Sequence, residues 1–326
     1  MDFARDVGGG DQGMIHNPVL RGFHPDPSVC RVGSKFYLVT STFEFFPGIP
    51  VYRSDDLYHW ECIAHVIDRR GQIDYRRIGA SRGLFAPTIR HHDGGWFVTV
   101  TNVSGPGNCL FVADKPTGRW SDPIHIPIEG IDPSLFFDDD GTAYVLTNGG
   151  LAGKSGIIMA PVDLSSGLLL DAPALICQGT GGRYPEGPRL YRIGKWYFLM
   201  LAEGGTEYGH MVTLFRSQNL TGPYEACPYG PILTMRDDAQ SPLQCTGHAD
   251  LVDDETGEWH ALFLGVRPLR GVLLHNLGRE TCLGNVLFRD DDWFFIEPLP
   301  SVDGVQEIVL SPSAEYLSPR IPAYPM

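Results

Sequence analysis

Several things are scarce in this sequence, and each scarcity closes off a class of function. No apolar run approaches the roughly 18 residues that a membrane-spanning helix needs. Basic residues are few: 25 Lys and Arg stand against 39 Asp and Glu, a formal charge of −14. A surface of that sign repels nucleic-acid backbones and anionic membranes and suits a neutral substrate. None of the seven cysteines (Cys30, Cys62, Cys109, Cys177, Cys227, Cys245 and Cys282) forms a Cys-x-x-Cys pair, which argues against a zinc site or a redox dithiol. The odd, scattered set reads as reduced core thiols. The opening residues Met1 to Asp11 lack the apolar core of a secretion signal, so the expected location is cytoplasmic. Long amphipathic helical patterns are missing too, which argues against alternating βαβ units.

What remains is a chain of strands and turns. Glycine (39) and proline (26) make up about a fifth of the 326 residues, as expected where turns are frequent. One short pattern recurs five times, beginning at Asp26-Pro-Ser-Val, Ala86-Pro-Thr-Ile, Asp132-Pro-Ser-Leu, Glu186-Gly-Pro-Arg and His248-Ala-Asp-Leu. Each copy reads as a short strand, a glycine-bearing turn and an aromatic-rich strand. A second half follows the first four copies, opening at Ile49, Leu110, Ile157 and Val212. A repeated four-strand unit describes a propeller blade. The expectation is an all-β, five-bladed β-propeller over residues 15–326, after a loose glycine-rich tail over 1–14. A β-sandwich with chance likeness among its hairpins is the alternative.

Around a common axis, equivalent positions converge. Asp26, Asp132, Glu186 and His248 would then face one another, with three acids in one site. Like charges raise the pKa of at least one of such a group. One carboxyl then stays protonated as a general acid while a neighbour stays ionised as a base, the division of labour that glycoside hydrolysis uses. Taken singly, each acid could equally cap a turn or pair with an arginine. His248 could bind a metal or water, or be a hydrogen-bonded core group. Phe43, Phe45, Phe46 and Phe85 offer aromatic faces for a sugar or packing between blades. Arg279 could hold a sugar hydroxyl or a carboxylate, or form a surface ion pair.

Six motifs in order, Asn17-Pro-Val-Leu-Arg-Gly-Phe-His-Pro-Asp-Pro-Ser, Ser41-Thr-Phe-Glu-Phe-Phe-Pro-Gly, Phe85-Ala-Pro-Thr-Ile-Arg, Gly130-Ile-Asp-Pro-Ser-Leu-Phe, Tyr184-Pro-Glu-Gly-Pro and Leu277-Gly-Arg-Glu-Thr, resemble glycoside hydrolase family 43, most of all its β-xylosidases and α-L-arabinofuranosidases. The resemblance implies an inverting mechanism. Asp26 would be the general base, Glu186 the general acid, and Asp132 the third acid that tunes and orients it. Arg279 would contact the terminal sugar, Phe45 and Phe46 would form one wall, and Phe85 would stand where many relatives carry Trp. His248 would lie near the axis beside a water or a possible Ca2+. No cofactor is required by this chemistry. The expected substrate is a xylo-oligosaccharide, with arabinose-substituted oligosaccharides as the alternative. Outside that reading stand a non-catalytic glycan-binding propeller and a retaining relative acting on fructosides. A C-terminal β-sandwich found in many relatives is not expected in this chain.

Overall fold

The structure, a computed structural model, describes residues 16–269 and 273–301. The expected tail over 1–14 and the stretch from 302 to Met326 lie outside the described residues. Within them the chain forms five four-stranded antiparallel sheets, each built from consecutive strands in sequence order. The first blade runs through Ser28–Val32, Lys35–Val39, Gly48–Ser54 and Glu61–Ile67. The second runs through Thr88–His92, Gly95–Asn102, Gly107–Ala113 and Ile124–His125. The third comprises Ile131–Phe137, Ala143–Leu151, Lys154–Pro161 and Ala174–Cys177, and the fourth Glu186–Ile193, Trp196–Glu203, Met211–Ser217 and Glu225–Ala226. The fifth comprises Gln244–Asp253, Trp259–Val266, Glu280–Phe288 and Phe294–Pro298. The chain is a five-bladed β-propeller.

Strand periodicity explains why the strands read as nearly unbroken apolar runs. Successive side chains point to opposite faces, and here both faces of a blade meet another blade. In the second strand of the fourth blade, Phe198 and Met200 pack against the fifth blade, while Leu199 and Leu201 pack against the third. The second blade divides likewise: Cys109 and Phe111 face the first blade, and Leu110 faces the third. The fifth interface joins Val29, Phe36 and Leu38 to Val252, Leu262 and Leu283. The core is therefore five layers, one per pair of neighbours. Truncating one large member such as Phe263, fully buried, should cost about 3–5 kcal/mol. The cysteines are free, five of them buried.

The ring closes on its own beginning. Asn17 Nδ2 donates to the carbonyls of Leu283 and Leu299, at 2.8 and 3.1 Å, and its Oδ1 accepts from the Leu283 amide at 2.7 Å. Leu20 forms an antiparallel bridge with Thr281 and Asn17 a parallel one with Ser301.

Nearest the axis the packing turns polar. Each innermost strand buries one polar residue at an equivalent place: Ser28, Thr88, Ser134, Arg189 and Asp250. Asp250 gathers three other blades. It accepts from Ser28 Oγ at 2.5 Å and from the Val29 amide at 3.1 Å. Arg90 grips both of its oxygens, at 2.8 and 3.0 Å. The Tyr191 hydroxyl donates to it as well, and Arg189 lies 3.5 Å away. Burial opposes the Asp250 charge, but the two arginines outweigh it and hold the carboxyl down at about 2.

Candidate active site

At one end of the innermost strands the lead residues turn toward the axis. Asp26, Asp132 and His248 all take left-handed backbone, with φ of 54°, 56° and 48°. Proline keeps the residue before it out of the right-handed helical region, and Asp26 and Asp132 both precede one. Asp and His tolerate the left-handed region better than most residues.

Glu186 departs from the expected register. Ser28, Thr88, Ser134, Arg189 and Asp250 pair with the second strands at Val39, Thr99, Leu146, Met200 and Leu262. Counting back two residues from each gives Asp26, Ala86, Asp132, Gly187 and His248. The lead residue of the fourth blade is thus Gly187, with φ 57°, and Glu186 stands one place before it. Space explains the shift: a Cβ on Gly187 would come within 2.8 Å of the His248 ring. A register break between Glu186 and Arg189 re-aims the acid, the usual effect of a bulge. The residues matching Glu186 in the second and third blades, Phe85 and Ile131, also face the cavity.

These side chains enclose one cavity of about 240 Å3, lined by Asp26, Asp132, Glu186, His248, Arg279, Phe43, Phe85, Ala86, Ile131 and Thr206. Asp26 is anchored twice, by Arg279 Nη1 at 2.7 Å and by Ser41 Oγ at 2.6 Å. Burial raises the cost of its charge, but Arg279 first, then His248 and Ser41, bring its pKa below the ordinary carboxylate value. Glu186 moves the other way: burial, then the charge of Asp26, push it up to about 7. Asp132 is driven well above its ordinary value by burial and by repulsion from Glu186 and Asp26. That repulsion acts equally on both partners, so Asp132 and Glu186 titrate as a pair and keep a proton near neutral pH. One anchored carboxylate and one protonated carboxyl pair therefore face the same small space.

Of the expected wall residues, Phe85 and Arg279 reach the cavity, and Phe45 and Phe46 do not. Phe43 turns inward instead, with φ 49°. Its ring meets Phe85 edge-on at 5.4 Å and lies 5.5 Å from the Arg279 guanidinium. A turn closed by the Phe45 amide on the Thr42 carbonyl (2.8 Å) throws the next aromatics outward, leaving Phe45 and Phe46 54% and 50% exposed. His248 is buried, and burial lowers it to about 3. Arg189 Nη2 lies 3.4 Å from its Nε2. A dication on that nitrogen would meet a fixed positive charge, and calcium prefers an oxygen cage, so the donor set at His248 does not fit Ca2+. Among the described residues, acids and histidine with metal-ligand spacing occur at Asp254, Glu258 and His260, in the hairpin at the far end of the fifth blade's first strand.

Thr206, Arg189, Arg90 and His210 escaped the sequence reading. His210 is buried, with Nδ1 3.0 Å from the Cys245 carbonyl, and its ring fills the space a Cβ on Gly247 would take. For Arg189 and Asp250 a signal was present: each is a charged residue set between apolar neighbours, Pro188 and Leu190 or Ala249 and Leu251.

Residues 15–294 match the pattern of glycosyl hydrolases family 43. The chain belongs to that family. Over 317 residues it is 41% identical to the non-reducing end alpha-L-arabinofuranosidase BoGH43B of Bacteroides ovatus, covering 96% of this chain and 57% of that protein. It is 41% identical to a xylosidase/arabinosidase of Butyrivibrio fibrisolvens, covering 87% of this chain and 57% of that one. Among solved structures, a xylan beta-1,4-xylosidase from Bacillus halodurans superposes with a TM-score of 0.81 at 40% identity, over 86% of this chain and 56% of its own. The chain spans a little over half the length of these relatives.

Proposed function

We propose that this family 43 propeller is an inverting exo-glycosidase that removes single pentose units from the non-reducing end of xylo-oligosaccharides. The observation that carries this is the pairing of an anchored carboxylate, Asp26, with a proton-bearing pair, Glu186 and Asp132, around one small cavity. A volume of about 240 Å3 is below the ~300–1,000 Å3 of drug-sized sites and suits one sugar ring.

In this reading Asp26 takes a proton from water as the water oxygen bonds to the anomeric carbon. The glycosidic carbon–oxygen bond breaks, its electron pair leaves with the oxygen, and Glu186 gives that oxygen a proton. Asp26 ends protonated and Glu186 ionised, and exchange with solvent restores both. Arg279 keeps Asp26 charged and on station. Asp132 shares the proton of Glu186 and, being the more buried of the two, leaves Glu186 to meet the leaving group. Phe43 and Phe85 supply the apolar wall for the ring. No step passes through a metal.

An α-L-arabinofuranosidase is the second reading, favoured by the 41% identity to a protein of that name over nearly the whole chain. Initial-rate kcat/KM on paired aryl β-D-xylopyranoside and α-L-arabinofuranoside separates the two. A ratio well above one supports the xylosidase, and a ratio well below one the arabinofuranosidase. Proton NMR of the first-formed anomer tests inversion, and retention would overturn the assignment of Asp26 as base. A purely glycan-binding propeller would release no product, and nothing in binding alone calls for a protonated carboxyl pair.

A further inference from the structure

We propose that Tyr184 is the platform on which the sugar on the leaving-group side stacks, so that the substrate is an oligosaccharide recognised across at least two rings. This rests on the exo-glycosidase reading above. The cavity has room for one ring, so the next must lie outside it. Inversion places base and acid on opposite faces of the reacting sugar, so the leaving chain departs on the side of Glu186. Tyr184 is two residues before Glu186. Its ring lies against Gly205, where a Cβ would come 3.6 Å from it, and Gly205 precedes the cavity-lining Thr206. The other exposed aromatics near the site, Phe23, Phe45 and Phe46, belong to the segments flanking Asp26, Phe23 lying against Phe43 and Phe45, and Phe46 against Tyr75.

The conformation of Tyr184 is unusual and firmly held. Its φ is 52°, a real outlier for a bulky side chain. It is enforced from both sides: the Gly204 amide donates to the Arg183 carbonyl at 2.8 Å, and Asn148 Nδ2 donates to the Pro185 carbonyl at 2.5 Å. Upstream, the buried Glu203 accepts from the Thr180 amide and hydroxyl, at 3.0 and 2.8 Å. Strain held in place this way collects at functional sites. The ring it displays is 56% exposed, with the Arg183 guanidinium 5.1 Å from its centre and Arg183 Nη2 donating to its hydroxyl at 3.2 Å. A held and backed aromatic ring that is more than half exposed is what the apolar side of a sugar ring packs on.

The test compares a substrate with sugars on the leaving side, xylotriose, with one that has none, xylosyl fluoride. Tyr184→Ala should lower kcat/KM on xylotriose about tenfold, the scale of one lost aromatic contact, and leave the fluoride within about twofold. Tyr184→Phe should restore most of the loss, because the face and not the hydroxyl is used. Tyr184→Gly relieves the backbone, so it should melt no lower than the parent and still show the xylotriose defect. Equal loss on both substrates, or no loss on xylotriose, overturns the platform and leaves the exo-glycosidase reading standing. A parent protein that cleaves neither aryl pentoside nor xylotriose overturns both.

Discussion

Asp132 and Asp250 are both buried, both stand on an innermost strand, and both feel Arg189, yet they lie on opposite sides of the ordinary carboxylate range. Asp250 is one acid among two arginines, a tyrosine and a serine, and is held down at about 2. Asp132 shares its space with two further acids, and its arginines, Arg189 and Arg279, do not offset burial and repulsion. The hub around Asp250 joins blades. The cluster around Asp132 stores unfavourable charge, which chemistry at the cavity can use. The contrast teaches that these two acids differ neither in depth nor in the number of arginines but in the company of other acids: Asp132 faces Glu186 and Asp26, while Asp250 is gripped directly by Arg90.

The hardest test of that contrast is to remove one acid from each region. Asp26→Asn or Glu186→Gln should lower kcat on unactivated xylotriose by about 10²–10⁴-fold, and Glu186→Gln should do so with no fall in melting temperature. An aryl glycoside, with its good leaving group, would mask the Glu186 effect. Asp250→Asn should do the reverse. It leaves two buried arginines without their acid, and should cost about 3–5 kcal/mol of stability, measured by urea unfolding. If Asp250→Asn stays stable, or Glu186→Gln unfolds, the division fails.

Titration sharpens the comparison with smaller effects. Glu186 is raised from 4.5 to about 7 in the fold, so between those values the folded chain holds the extra proton and stability falls as pH rises. Asp250 is lowered from 3.8 to about 2. Its stabilisation is complete above the unfolded value and is lost as pH falls toward 2. Melting temperature against pH should therefore gain at the upper window in Glu186→Gln and flatten at the acid end in Asp250→Asn. Activity should decline above about pH 7 as Glu186 loses its proton. The smallest effect is expected from Arg279→Met: Asp26 loses its main opposing charge, and the acid limb of kcat/KM should move to higher pH.

The propeller was legible because its signal is repeated, and five weak patterns in order reinforce one another. Asp26 and Asp132 were legible as lead residues for the same reason. Glu186 was found through its Gly-Pro sequel but placed one register too far on. Gly187 takes the lead because the His248 ring leaves no room for a Cβ, a contact between blades that no local pattern carries. Phe43 stood among the aromatic candidates, but the resemblance put the wall at Phe45 and Phe46, whereas the inward turn depends on the backbone at Phe43. The pairing of Asp250 with Arg90 spans 160 positions. Its residue types were visible, but their meeting exists only once the ring is formed.

The latch at Asn17 and Leu20 gives that ring a seam, and the seam runs through the site. Asp26 follows the latch at the start of the first blade, and Arg279 lies in the fifth, two residues before the bridged Thr281. Across the same gap the His24 amide donates to the Arg279 carbonyl at 2.9 Å, and Thr281 Oγ1 donates to the His24 carbonyl at 2.8 Å. The Asp26–Arg279 pair is thus itself one of the stitches. A half-assembled molecule with its ends apart would carry every residue of the site and still have a base held by Ser41 without its arginine. Turnover is then an assay of circular closure, and a partly built chain is kept silent by its own geometry.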